Sequence, residues 1–338
     1  MRGIAESPPV NGNGAHPAPT DLESDLGTAG RTPGEEFAAA VSGAGDRTGG
    51  RTGGRAGDRA GDRTGDRARD RAGEGAGEQG DLVVPFDMHL PAAFPLFASR
   101  PRYPVRHLLK TAPVADDPAP YVHEPPRGQL SEAGTSYAAT PEAAFAPRIE
   151  RARLTDLTVS VPLPDGILGQ PALLAPYVDY RVLVRLSVAE NEALLHGTGD
   201  GAITGLLRLP GTRHRRTGLG LEEAATEAAA EVEETGGSCD GIVAHPAVYW
   251  EMVRTGMLGR LAVAGITVSR TRMIPRDTLL MGDFRAAFTL LLPGASSLTL
   301  RRGAGNDGAD LVRASTRVGL AVHLPQHLMT LSWGGRHG

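Results

Sequence analysis

The chain has 338 residues, of which 45 are Gly and 26 are Pro, about a fifth of all positions against roughly 12% in average usage. Aromatic residues make up only 4%, Cys239 is the one cysteine, Lys110 is the one lysine, and the formal net charge is −4. These values exclude an internal disulfide framework and a multi-cysteine metal site, make a reducing compartment the default, and speak against a generic nucleic-acid binder.

The excess of Gly lies before residue 81. Residues 1–45 are acidic, with Arg2 and Arg31 against Glu6, Asp21, Glu23, Asp25, Glu35 and Glu36. Residues 46–80 then repeat every four positions, with Arg at 47, 51, 55, 59, 63, 67 and 71, Gly in most tetrads, and Asp at 58, 62, 66 and 70. Period four stacks Arg on one helix face, but Gly costs about 1 kcal/mol per residue there, and no apolar stripe offsets the loss. Residues 1–80 are therefore expected to form a disordered, low-complexity arm, either a solvated linker or a flexible segment that engages a partner. The nearly balanced charges of the repeat over 46–80 argue against phosphate binding. Met1–Gly14 lacks the apolar run of a secretory signal, and no stretch approaches the roughly 18 apolar residues of a membrane span. The expected setting is the cytoplasm, without a membrane partner.

Residues 81–338 are long enough for a sizeable core, built mainly from Leu, Val and Ala. Order is expected to begin near Asp81–Leu96, where Val83, Val84, Phe86 and Leu90 supply an apolar run. Residues 97–148 are rich in Pro and poor in periodicity, which predicts an extended excursion packed on a neighbouring subunit. Leu157, Val159 and Val161 alternate in a strand over 154–163. Pro171 opens, and Gly197 closes, a helix of roughly 38 Å, with Pro176 in its first turn or at a kink. The Gly-rich run 197–205 lacks a Gly-Lys-Ser/Thr ending and follows a helix, so it reads as a turn. An Ala/Glu helix over 221–235 ends at Gly236-Gly237. A buried strand at 242–245, a short helix from Pro246, and strands at 265–269, 279–282, 286–292, 298–301, 311–324 and 328–333 complete an α+β pattern.

No convincing active site, metal site or cofactor site emerges. His323 and His327 are separated by Pro325, so one helix face cannot offer both to a metal. His214 lies in a basic cluster expected to be solvated. His245 reads as a strand-end residue. Cys239 has no evident paired base, Asp240 and Asp283 read as turn or cap residues, and no Gly-x-Ser-x-Gly elbow is present. A soluble enzyme with an unrecognised site remains the alternative from a different class.

The order and wording of these segments resemble the Hong Kong 97-type major capsid proteins of tailed phages and their bacterial relatives, the encapsulin nanocompartment shell proteins. The resemblance covers about residues 82–333. It is carried by Glu142–Leu163, Pro171-Ala-Leu-Leu-Ala-Pro-Tyr-Val-Asp-Tyr180, Ala189–Gly197 with Thr204-Gly-Leu-Leu207, Val243-Ala-His-Pro-Ala-Val-Tyr-Trp250, Ala264–Val268, Leu280-Met-Gly-Asp-Phe284 and Arg317–Val322. His245 stands where the family usually has Asn. The resemblance implies a capsid fold with an extended loop at about 120–165, a spine helix at about 171–196 in a peripheral domain, and an axial domain at about 217–325. It further implies a self-assembling icosahedral shell, 60 copies in the simplest case, without cofactor or specific nucleic acid, that encloses a cargo enzyme. A phage or prophage capsid is the alternative; the Gly-rich arm, unlike a helical scaffolding segment, favours the encapsulin. By the same resemblance Thr235, Gly236, Gly237, Ser238, Cys239 and Asp240 fall near a five-fold pore, where these small residues would line a passage for small substrates. An ordinary helix–strand turn is the competing reading.

Overall fold

The computed structural model describes residues 31–49, 81–86, 104–124, 147–305 and 308–333. The predicted arm is interrupted by a helix, α1 (Pro33–Gly49), whose Phe37, Ala38 and Val41 enter the main core. This corrects the expectation that all of residues 1–80 lack structure. The physical reason is local. The Thr32 hydroxyl accepts from Glu35 N–H at 3.1 Å while the Glu35 carboxylate accepts from Thr32 N–H at 2.8 Å, and Pro33 occupies the first helical position. This reciprocal cap closes a helix start that average composition conceals. Residues 1–30 and 50–80 lie outside the described residues.

Strand β1 (Leu82–Phe86) pairs antiparallel with β11 (Ser296–Arg301), which pairs with β12 (Leu311–Val322). The far half of β12 pairs with β10 (Phe288–Leu292), and β10 pairs in parallel with β2 (Lys110–Pro113). On its other side β12 pairs with β5 (Thr155–Pro162), whose Leu157, Val159 and Val161 face the core as the alternation predicts. Twelve-residue β12 is thus the common member of the peripheral sheet.

Residues 104–114 do not leave the molecule, which corrects the excursion expected over 97–148. Val105, Leu108 and Leu109 are buried, and Val105 N–H donates to Asn191 Oδ1 at 3.3 Å. Three apolar side chains within five residues suffice to hold this Pro-flanked segment in its own chain. Strands β3 (Ala119–His123) and β4 (Arg148–Ala152) then form a two-stranded stem. Residues 97–103 and the stretch 125–146 that joins the stem strands lie outside the described residues.

The spine helix has three parts: α2 (Pro171–Tyr177), a π turn (Val178–Val182) and α3 (Leu183–His196). Pro176 sits inside α2 rather than at its start. Proline cannot donate to the carbonyl four residues back, and the wider turn follows directly. Asp179, buried in that π turn, accepts from Gly34 N–H at 2.9 Å and from the Thr32 hydroxyl at 2.7 Å. Gly34 is required here, because any Cβ would overlap the Ala175 carbonyl oxygen and the Asp179 carboxylate. The spine helix therefore carries the counter-group that anchors α1.

The second sheet has the order β6 (Arg213–Thr217), β13 (Leu328–Trp333), β9 (Thr278–Gly282), β7 (Gly241–Ala244), β8 (Thr267–Arg270). One face is covered by α4 (Leu221–Glu234), α5 (Pro246–Arg254) and α6 (Met257–Val263) around Ala224, Ala228, Val232, Met252 and Met281. The sequence predicts these elements within two residues except α6 and β6; the basic run around His214, expected to be a solvated loop, is an edge strand paired with β13, and its Arg213 and Arg215 form ion pairs with Glu231 of α4. A short helical turn, α7 (Phe284–Ala287), leads from β9 into β10 and so joins the two sheets. His245 caps α5, its Nδ1 accepting from Ala247 N–H at 3.1 Å, the role that a side-chain oxygen of Asn plays at such a position. Burial shifts its pKa downward and favours the neutral ring able to accept that bond. No described helix is long and apolar enough to cross a membrane.

Candidate functional site

The six predicted pore-loop residues form the link between α4 and β7, and they do not share one environment. Thr235 ends the helix, its hydroxyl donating to the Val232 carbonyl at 2.6 Å, and Gly236 turns the chain at φ +88°. Gly237 lies flat against the His327 ring, which a Cβ would meet at 2.9 Å. Ser238 is exposed, and its N–H donates to Asp283 Oδ2 at 3.0 Å. Cys239 points into the axial core at 3% exposure. It belongs to the same cluster as Ile242 and Met281, and this burial does not fit the expectation that its side chain lines a passage. The exposed edge of the loop is Gly236 and Ser238.

Two carboxylates fasten the loop to α7. Asp240 accepts from Phe284 N–H at 2.8 Å and Arg285 N–H at 3.2 Å, and Asp283 accepts from Ala286 N–H at 2.8 Å as well as from Ser238. Both are cap residues, as the sequence predicts. Burial pushes the Asp240 carboxyl up, with the Asp283 charge adding to it, against the pull of the two N–H donors. His327, on the inner side of the loop, is shifted downward by burial and is neutral at pH 7. Burial, with Asp240 and Glu233 nearby, pushes the Cys239 thiol up to about 12. A thiol both covered and held protonated is a poor nucleophile. In the native chain Cys239 is therefore expected to resist an aromatic disulfide reagent, with full labelling only on addition of denaturant. Rapid labelling at neutral pH in buffer would contradict the inward orientation.

The stem is fastened by a reciprocal histidine clasp. His123 Nδ1 lies 2.6 Å from the Val322 carbonyl, and His323 Nδ1 lies 2.8 Å from the Val122 carbonyl, so each ring bonds the backbone beside the other. His323 Nε2 is 3.0 Å from the Thr289 hydroxyl, and the Tyr121 ring meets His323 edge-on at 5.7 Å. Arg317 on β12 adds an ion pair to Asp117 and one to Asp156 at 3.7 Å. Gly319 lets the stem approach β12, since a Cβ there would press on Leu154. On its outer face the stem exposes the cross-strand pair Val122 and Ile149, the latter at 77%. His323 thus serves the stem, and His327 the loop between α4 and β7. Among the described residues no group of three or more His, Cys, Asp or Glu could hold a metal ion.

Sequence reasoning passed over one buried charge pair. Glu190 of the spine helix is fully buried, with Arg106 Nε 3.2 Å away. Burial pushes its carboxyl up to about 7, the nearby guanidinium opposing this without cancelling it. The ordinary carboxylate lies near 4.5, so between that value and about 7 the folded chain keeps a proton that the unfolded chain has lost. Stability contributed by this group is thus complete below the lower value and falls as pH rises to the upper, by about 3 kcal/mol at most. Urea unfolding midpoints compared between pH 5 and pH 8 are expected to show this fall, and Glu190→Gln is expected to flatten it. An unchanged slope in the variant would refute the assignment.

No family model matches the chain, and no curated protein matches it. Solved structures do. That of Mycobacterium phage Bobi has a TM-score of 0.52 at 11% identity, covering 69% of this chain and 90% of its own. That of Mycobacterium phage Adephagia has a TM-score of 0.51 at 12% identity, covering 72% and 94%. The capsid of the native GTA particle has a TM-score of 0.49 at 15% identity, covering 70% and 98%. At such identities the likeness establishes the fold alone. It is the Hong Kong 97-type capsid fold.

Proposed function

We propose that this chain is the shell subunit of an encapsulin-type nanocompartment, which self-assembles in the cytoplasm and encloses a cargo enzyme. Burial of apolar surface at repeated subunit contacts drives the assembly. The observation that carries the reading is α1. A phage capsid of this type often discards an N-terminal scaffolding segment by proteolysis, whereas here Phe37 and the Asp179 clasp make residues 32–49 part of the core. A segment built into the core is kept for the life of the shell. The exposed edge of the α4–β7 loop, Gly236 and Ser238, borders the passage for small substrates in this reading.

The test is electron microscopy of the recombinant full chain, combined with intact-subunit mass and the contents of particles purified from a native host. Closed particles with uncut subunits and a co-purifying enzyme support the compartment. Particles that hold DNA and subunits cut beyond residue 49 would favour the phage capsid. A monomer or small oligomer with turnover of its own would favour an enzyme.

A further inference from the structure

The axial sheet ends in two open edges, β6 on one side and β8 on the other. Helix α4 packs over β13 beside the first edge, and α5 and α6 pack against β8 at the second. The two flanks carry opposite charge. From Arg213 to Glu234, three Arg face six Glu (222, 223, 227, 231, 233 and 234), a net of −3. From Pro246 to Asp277, five Arg (254, 260, 270, 272 and 276) face Glu251 and Asp277, a net of +3. Within one chain the flanks meet at the Arg260–Glu222 ion pair, 2.6 Å long. Glu223 and Glu234 on the acidic side, and Arg254 and Arg272 on the basic side, are exposed and make no ion pair among the described residues.

The basic flank also carries an ordered aromatic patch. Trp250 is 59% exposed, and Val253 beside it is 40% exposed. The Trp250 ring meets Tyr249 edge-on at 5.7 Å, and the Arg270 guanidinium lies 4.5 Å from the Tyr249 ring centroid and 5.4 Å from that of Trp250. Stacking of this kind fixes an aromatic side chain before any partner arrives. Val263, at the end of α6, is 92% exposed. A rigid exposed Trp rimmed by Arg has the composition of an interface anchor.

We propose that the flank formed by α5, α6 and β8 docks head to tail on the α4 flank of a second copy of this chain, with Trp250 as the anchor and Arg254 and Arg272 facing Glu223 and Glu234. Pairing of like flanks across a two-fold axis is disfavoured, because it would set equal charges against each other. A heterologous contact repeats from copy to copy and gives a ring when the rotation between copies closes, the arrangement a shell subunit needs. The inference rests on the shell reading and assigns it a polarity and a set of residues.

Charge reversal of full-length chains tests it, read by sedimentation velocity and electron microscopy. Arg254→Glu with Arg272→Glu, and separately Glu223→Arg with Glu234→Arg, are each expected to lower the assembled fraction at least about tenfold, since like charges then oppose across the contact. The chain carrying all four reversals restores complementarity and is expected to assemble again. Trp250→Ala is expected to weaken assembly in every charge background. All four positions are exposed, and circular dichroism of each variant confirms that it is folded. Assembly of the single-flank variants at the wild-type level overturns the inference, as does failure of the four-fold variant to recover; in both cases the shell reading stands. A wild-type chain that forms no particles overturns the shell reading itself.

Discussion

Replacing Phe37 by Ala is expected to lower the stability of the whole fold by about 3–5 kcal/mol, the range for removing a fully buried aromatic side chain. Phe37 is 0% exposed and belongs to the same cluster as Leu174, Val178 and Leu186 of the spine helix and Leu298 and Val312 of the sheet. If α1 were a dispensable appendage, the loss would appear as local fraying with an unchanged main transition. The structure predicts instead a shift of the main chemical-unfolding midpoint, because the cavity opens against the spine helix itself. Thr32→Ala is a second, smaller probe. It removes both the hydroxyl that caps α1 and its bond to Asp179, and is expected to cost about 1–2 kcal/mol. A midpoint unchanged in both variants would mean that α1 does not belong to the cooperative core.

The case of α1 shows what composition hides. Arg, Gly and Asp dominate residues 46–80, and an average taken over the whole first quarter carries the preceding Thr32-Pro-Gly-Glu35 and Phe37-Ala-Ala-Ala-Val41 along with it. A capping box followed by an apolar side chain and a second one turn later is a helix signal on a scale of ten residues. Residues 104–114 are hidden in the same way, since Pro101, Pro104 and Pro113 disguise a segment that three buried side chains hold in place. Strands β11 and β12 of the peripheral sheet and helix α4 are legible because their signals are strictly local: alternation in the strands, and a two-sided Ala/Glu pattern in α4. The inward turn of Cys239 is not legible. It depends on which face of β7 meets α4, and tertiary packing alone decides that. The pairing of Arg106 with Glu190 spans 84 positions and likewise has no local signature.

The same contrast between local and tertiary control predicts the largest single effect. Gly282 ends β9 at φ +153°, beside the point where the chain enters β13. A Cβ there would overlap the His327 carbonyl oxygen and crowd Leu328 Cα, both of them backbone atoms with no side chain to swing aside. That carbonyl is also engaged, accepting from Asp283 N–H at 3.0 Å, while the Gly282 carbonyl accepts from Asp240 N–H at 3.1 Å. One added methyl group therefore forces apart the strand pair β9–β13 and loosens the two carboxylate clasps that hold residues 235–240. Gly282→Ala is expected to cost more than about 4 kcal/mol, the range reached when backbone strain and broken buried bonds combine. Gly294, exposed in a turn where an added methyl group would meet nothing within 4 Å, provides the control. Gly294→Ala is expected to be neutral or slightly stabilising, because Ala narrows the unfolded ensemble without meeting any atom. Because the clash loosens the α4–β7 loop, Cys239 in Gly282→Ala is also expected to become reactive toward a thiol reagent at denaturant concentrations where the wild-type chain stays closed. Equal stability of the two Ala variants would mean that the β9–β13 crossing tolerates a side chain and does not hold the axial domain closed.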